Sequence, residues 1–138
     1  WLRQVARQHQ DKGLSKTFVA VREEEPTRIC GYYALTLAEL DNRHMPDTWR
    51  KKLPRRIPGV RLGRLAVEQK CQGRKLGELL LIDALMRARR IYIEAGGIGL
   101  FVDATDAQAA EYYRRFGFEA SPDNPLLLVL SAEVAGQE

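Results

Sequence analysis

Residues 67–81 read VEQKCQGRKLGELLL, and the parsing of the whole chain turns on them. Gly73 and Gly77 bracket two cations, Arg74 and Lys75, and a long apolar run follows at once. The segment before it, VRLGRLAV, ends in a strand-like pattern, so the unit reads strand, cationic turn, helix. A helix start offers unpaired N–H groups and the positive end of the helix dipole, which suits a phosphate. Glycines there let a ligand approach the backbone and let the helix pack close to the sheet. Two nucleotide-binding patterns are excluded: GxxxxGK[ST] is absent and GxGxxG is not matched. Taken alone, the glycine pair fits a helix start that holds no ligand equally well.

Working outward, the helix runs from about Gly73 to Ala95, with Arg87, Arg89 and Arg90 in its last turns and Gly96–Gly97 as its stop. IGLFVDA is the next strand. In TDAQAAEYYRRFG, Thr105 stands as N-cap, Gln108 in capping-box position and Gly117 as C-terminal stop. SPDNP is a loop and LLLVLSAEV the last strand. Upstream, Leu2, Val5, Ala6 and His9 fall at helical spacing before Gly13, which predicts a first helix. SKTFVAVRE and RICGYYALTLAEL read as two strands joined by the polar turn EEEPT, an antiparallel hairpin. Residues 41–58 are rich in Pro and charge, with a short helix expected from Pro46. No repeat, linker or low-complexity tract interrupts the chain. The order predicts one α/β (α+β) domain over residues 1–138, with a mixed, mainly antiparallel sheet flanked by helices.

Bulk properties bound the function. A length of 138 residues suits one core, and 45% hydrophobic with 29% charged residues describes an ordinary globular chain. The net charge of +4 is a mild pointer to polyanions. Cys30 and Cys71 are too few for a metal motif or a disulfide framework, and fit thiols of a reducing cytoplasm. Charges at Glu78, Asp83, Arg87, Arg89, Arg90 and Glu94 interrupt the most apolar region, which argues against a membrane span. No metal is expected. The basic residues Arg50, Lys51, Lys52, Arg55, Arg56, Arg61 and Arg64 cluster in sequence before and along the central strand. Trp49 beside them fits a packing anchor or a stacking platform for a base.

With its preceding strand, QGRKLG resembles motif A of the GNAT superfamily of N-acetyltransferases, [Q/R]-x-x-G-x-[G/A]. Gln72 and Gly77 match, while Lys75 stands where the family usually has Gly. The resemblance implies acetyl-CoA as co-substrate, with its pyrophosphate held by Gln72, Gly73, Arg74, Lys75, Leu76 and Gly77. The pantetheine arm then pairs with Leu65, Ala66 and Val67. The Lys75 N–H remains usable provided φ stays negative, and its ammonium can add a charge contact to a phosphate. AEYYRRFGFEASP is similar to GNAT motif B at Tyr113, Gly117 and Phe118, which implies Tyr113 as the acid that protonates the leaving thiolate. Periodicity does not choose between Tyr112 and Tyr113; the resemblance selects Tyr113.

A finer resemblance covers nearly the whole chain. WLRQVARQHQDKGLSKTFVAV, GRLAVEQKCQGRKLG and AAEYYRRFGFEASPDNPLLLVL are similar to the TacT-like GNAT toxins of bacterial toxin–antitoxin modules. This implies a cytoplasmic toxin that acetylates the α-amine of aminoacyl-tRNA and blocks translation. Its implied partners are a ribbon–helix–helix antitoxin and a second copy in a homodimer. It also implies that a first strand and part of the first helix precede Trp1. Phosphate contacts to tRNA are expected from Lys16, Lys52, Arg55, Arg56, Arg61 and Arg64, and Arg64 lies closest in sequence to the acetyl donor. A solvated surface is the plain alternative for each of these cations. Arg87 to Arg90 are further candidates. His9 and His44 sit in no recognisable catalytic setting, so direct transfer without an acyl-enzyme is expected, with Cys71 near the phosphate turn. Two other functions compete: acetylation of a protein N-terminus or small amine, and a non-catalytic RNA- or protein-binding module.

Overall fold

The computed structural model describes residues 2–7, 15–47, 52–71 and 75–131. Seven strands hydrogen-bond in the order β1-β2-β3-β4-β5-β7-β6. They are β1 (Leu2–Arg7), β2 (Ser15–Arg22), β3 (Glu25–Asp41), β4 (Arg56–Val67), β5 (Gly99–Asp103), β6 (Glu119–Ser121) and β7 (Asn124–Ser131). Helix α1 (Leu76–Ala95) joins β4 to β5, and α2 (Ala107–Arg114) joins β5 to β6. The chain divides into two compact units, residues 1–36 with 62–86 and residues 37–61 with 87–138.

In the first unit, β2 is the central element, and Phe18, Val19, Ala20 and Val21 are all buried. A run buried on successive residues is covered on both faces, which accounts for its unbroken apolar character. β2 pairs antiparallel with β3, Ala20 opposite Gly31, and the register slips beside Val21. β1 pairs antiparallel with β2 from Leu2↔Arg22 to Arg7↔Thr17. This overturns the expected first helix. Two turns of helical spacing cannot stabilise an isolated helix, whereas pairing with β2 supplies a ladder along all six residues. His9 and Gly13 lie outside the described residues.

Helix α1 packs where β3 lacks a side chain. A Cβ on Gly31 would stand 2.8 Å from Leu80 Cδ1 and 2.9 Å from the Ala66 carbonyl oxygen. Leu76, Leu80, Leu81 and Ala84 are buried along the helix, and Tyr33, fully buried in β3, donates its hydroxyl to the Asp83 carboxylate. The opposite helix face leaves Leu79, Ile82, Met86 and Ile93 exposed. The last turn carries no base, because the helix runs one turn past Arg90.

The second unit is built on Leu40, Met45, Ile57, Phe101, Leu127 and Val129. Met45, in the segment that the sequence marks as rich in Pro and charge, is wholly buried. A 3₁₀ turn at Asn42–His44 delivers it there, with the Asp41 side chain accepting from Arg43 N and Asn42 N donating to Arg55 O at 2.7 Å. The Asp41 carboxyl sits below the usual carboxylate range, chiefly through that Arg43 N–H. Of the short helix expected from Pro46 (PDTWRKKL), residues 48–51 lie outside the described ones, Trp49, Arg50 and Lys51 among them. α2 is capped by Asp106, not Thr105: its carboxylate accepts from Ala109 N at 2.8 Å. An anion at this position also meets the positive end of the helix dipole, an advantage a hydroxyl lacks. The three-residue β6, of which only Ser121 belongs to the SPDNP segment read as loop, forms a hairpin with β7.

Gly31→Ala is expected to lower unfolding stability by about 1–3 kcal/mol through overpacking against Leu80 and the Ala66 carbonyl. A urea titration would show this as an earlier midpoint with an unchanged slope.

Candidate active site

β4 ends in the residues expected to meet the donor. Leu65, Ala66 and Val67 are half-buried, and Arg64 before them is exposed with φ 47°. A non-glycine residue in the left-handed region within a strand disturbs the alternation of side chains and is sterically costly. Past Val67, Glu68 N donates to Cys30 O at 2.7 Å and Cys71 N to Glu68 O at 2.8 Å, the latter closing the 3₁₀ turn Gln69–Cys71. Arg28 clamps Glu68 with Nη2–Oε1 at 3.0 Å and Nε–Oε2 at 3.3 Å. That hydrogen bond holds the Glu68 carboxyl below its usual range and raises Arg28. The approach to the cationic turn is therefore anchored by a two-pronged ion pair that the sequence reading did not find.

Gln72, Gly73 and Arg74 lie outside the described residues. The helix is described from Leu76, and Leu79 N donates to the Lys75 carbonyl at 3.1 Å. Leu76 is buried, Gly77 half-buried and Lys75 exposed. Lys75 has φ 57°, so the condition set for a usable Lys75 N–H is not met, and its exposed ammonium is what it can offer an anion. The left-handed bend supplies a physical reason for glycine at this place in motif A: a residue with a Cβ adopts it only at a cost of about 1–2 kcal/mol.

Cys30 and Cys71, far apart in sequence, are buried neighbours here. Burial raises the Cys30 thiol, and Cys71 raises it further. Cys71 Sγ lies 3.9 Å from Glu68 Oε2. Among the described residues no group of three or more His, Cys, Asp or Glu is arranged to hold a metal ion. No described helix is long and apolar enough to cross a membrane.

In the second unit Tyr113 is 8% exposed, whereas Tyr112 is half-buried. Tyr113 meets the edges of Tyr112 and Phe118, each at 5.4 Å between centroids, and Phe118 N donates to its carbonyl. Tyr112 contacts Phe116 and lies under the Arg115 guanidinium. Burial, with a smaller push from Tyr112, raises the Tyr113 phenol above its ordinary value. Folding therefore favours the protonated phenol, and the group keeps its proton at neutral pH.

The expected tRNA-contacting cations are all exposed on described elements, Lys16 on β2 and Arg64 on β4 of the first unit, Lys52, Arg55, Arg56 and Arg61 in the second. Three have acidic neighbours: Arg55 lies 4.0 Å from Asp41, Arg56 3.8 Å from Glu39 and Arg61 3.4 Å from Asp103. Arg61 also covers the Phe101 ring. His44 has a partner that the sequence hid. Its Nδ1 lies 2.9 Å from Asp123 Oδ2, and Ser121 donates to Asp123 Oδ1 at 2.5 Å. Ser121 first and His44 next hold the Asp123 carboxyl below its usual range. The serine faces a carboxylate and not a base, so this trio clasps a loop and does not activate a nucleophile.

Residues 13–120 match the family model of the acetyltransferase (GNAT) domain. The chain belongs to the GNAT acetyltransferases. Among its GNAT relatives is a tRNA-acetylating toxin of Mycobacterium tuberculosis strain H37Rv. It is 36% identical over 130 residues, spanning 94% of this chain and 76% of that protein. The crystal structure of a tyrosine-to-phenylalanine variant of KacT superimposes with a TM-score of 0.84 at 29% identity, covering 90% of this chain and 75% of that one. AtaT complexed with acetyl-methionyl-tRNAfMet gives 0.82 at 26% identity, covering 89% and 74%.

Lys75→Gly, which removes the left-handed penalty, is expected to raise the thermal midpoint of this GNAT enzyme by about 3 °C per kcal/mol regained. Differential scanning calorimetry measures it directly.

Proposed function

We propose that this acetyltransferase is a translation-blocking toxin that moves acetyl from acetyl-CoA to the α-amine of aminoacyl-tRNA. The observation that carries the reading is the 36% identity, across 94% of the chain, to a tRNA-acetylating toxin. Two local features support it. Helix α1 begins just after Arg74 and Lys75 in sequence, and unpaired N–H groups and the dipole at a helix start favour the diphosphate of coenzyme A. Gln72, Gly73, Arg74, Leu76 and Gly77 are assigned to that grip, with Lys75 adding its exposed ammonium, and Leu65 to Val67 to the pantetheine arm. Tyr113 is buried and holds its proton, as a general acid must.

The chemistry needs little from the protein beyond alignment. An α-amine with an ordinary pKa near 7.7–8.0 is lowered further by its neighbouring ester, so a large share is neutral at cell pH. The neutral nitrogen attacks the thioester carbon, the C–N bond forms, and collapse of the tetrahedral species breaks the C–S bond. The amine's surplus proton passes to solvent. The departing sulfur, basic near 8.5 as a thiolate, shares the Tyr113 proton, and solvent restores it. Proximity and a polarised carbonyl supply most of the acceleration. The cations Arg64, Arg61, Arg55, Arg56, Lys52 and Lys16 are assigned to tRNA phosphates, so binding weakens with salt. By the same kinship we assign a ribbon–helix–helix antitoxin, a homodimeric form and a bacterial cytoplasmic setting.

The decisive experiment supplies labelled acetyl-CoA and a pool of charged tRNAs. Label is expected on the amino acid, recovered as an N-acetyl amino acid once the ester is hydrolysed. Label only on a protein N-terminus or a free small amine would reassign the acceptor, and no binding of acetyl-CoA would leave a non-catalytic module. Tyr113→Phe is expected to keep acetyl-CoA affinity and to slow turnover by about 10²-fold or more. Arg64→Ala is expected to lower kcat/KM for aminoacyl-tRNA by about tenfold with a far smaller change in acetyl-CoA affinity. Equal losses for both ligands would move Arg64 to the cofactor or to folding.

A further inference from the structure

Gly63 is a glycine that neither its backbone nor its packing accounts for. Its φ lies outside the left-handed region, so no left-handed backbone calls for glycine there. A Cβ built on it meets no atom within 4 Å among the described residues. By contrast, Gly31 and Gly59 are held by close contacts, and Gly96, Gly97, Gly99 and Gly117 adopt positive φ. A bare position in the interior of a strand carries a cost, since glycine weakens strands and buries nothing. The remaining use for it is close approach of a ligand to the strand.

Its place in β4 says which ligand. On the reading proposed above, the diphosphate lies at the turn of residues 72–77 and the pantetheine arm runs back along Val67, Ala66 and Leu65. The donor's acetyl end then points toward Arg64, and Gly63 lies one residue beyond. We infer that the open strand surface at Gly63 receives the aminoacyl group of the acceptor, its α-carbon and side chain, so that residue 63 helps set which amino acids are acetylated. Exposed Arg64, held beside it at φ 47°, marks the boundary between donor and acceptor stretches of the strand.

This inference rests on the aminoacyl-tRNA reading, so the wild-type protein is first shown to acetylate charged tRNA; if it does not, both readings fall together. Gly63→Val is then compared with wild type in three measurements: acetyl-CoA affinity, affinity for uncharged tRNA, and kcat/KM on charged tRNAs. Expected are unchanged affinities for the first two, within about twofold, with kcat/KM reduced by about tenfold or more. Where several charged tRNAs are substrates, those bearing bulky side chains should suffer most. Unchanged kcat/KM overturns the inference while leaving the proposed function standing. A matching loss of acetyl-CoA or uncharged-tRNA affinity also overturns it, by placing a different ligand on the strand. If Gly63→Val lowers the thermal midpoint, Gly63→Ala carries the same comparison with a smaller intrusion.

Discussion

Helix α1 can lie against its strands only because residue 31 has no side chain. The space that a Cβ would take is held by Leu80 on one side and the Ala66 carbonyl on the other. Three elements meet at that point: β3 through Gly31, β4 through Ala66 and α1 through Leu80. The Tyr33–Asp83 hydrogen bond fastens the same helix to the same strand a little further along. With the helix fixed in distance and rotation, its first turn and the end of β4 are also fixed relative to one another. The Arg28–Glu68 pair then holds the chain just past β4. Binding geometry at a helix start depends on how firmly that start is held, and here it inherits its firmness from buried packing.

Much of this was legible from residue pattern. β4, the hairpin of β2 and β3, β5, β7 and both described helices follow from periodicity and glycine stops. The failures have physical causes. Residues 2–7 carry too weak a pattern to decide between helix and strand, and the open edge of β2 decides it. β6 is three residues long, shorter than any window in which alternation can be counted. Asp106 outcompetes Thr105 as cap because a charge interacts with the helix dipole more strongly than a hydroxyl does. Met45 looks like part of a segment rich in Pro and charge because a core residue reached by a tight 3₁₀ turn has no apolar neighbours in sequence.

Long-range pairs were the least visible. Arg28 with Glu68, Cys30 with Cys71 and His44 with Asp123 each join residues that no local spacing connects. The choice between Tyr112 and Tyr113 is of the same kind. Both are adjacent on one helix, and only burial separates the one that is enclosed from the one that lies under Arg115. Motif resemblance pointed to Tyr113, and the fold gives that residue an enclosed phenol.

Lys75 carries a consequence for the conditions under which the protein works. Its backbone conformation costs the same at any ionic strength, because the penalty is steric. The attraction of its exposed ammonium for any anion held at the turn is Coulombic and decays over roughly 8 Å in physiological salt, less in brine. Dilute media therefore reward a lysine in this place, and concentrated electrolyte turns the same residue into a burden that a glycine would not carry.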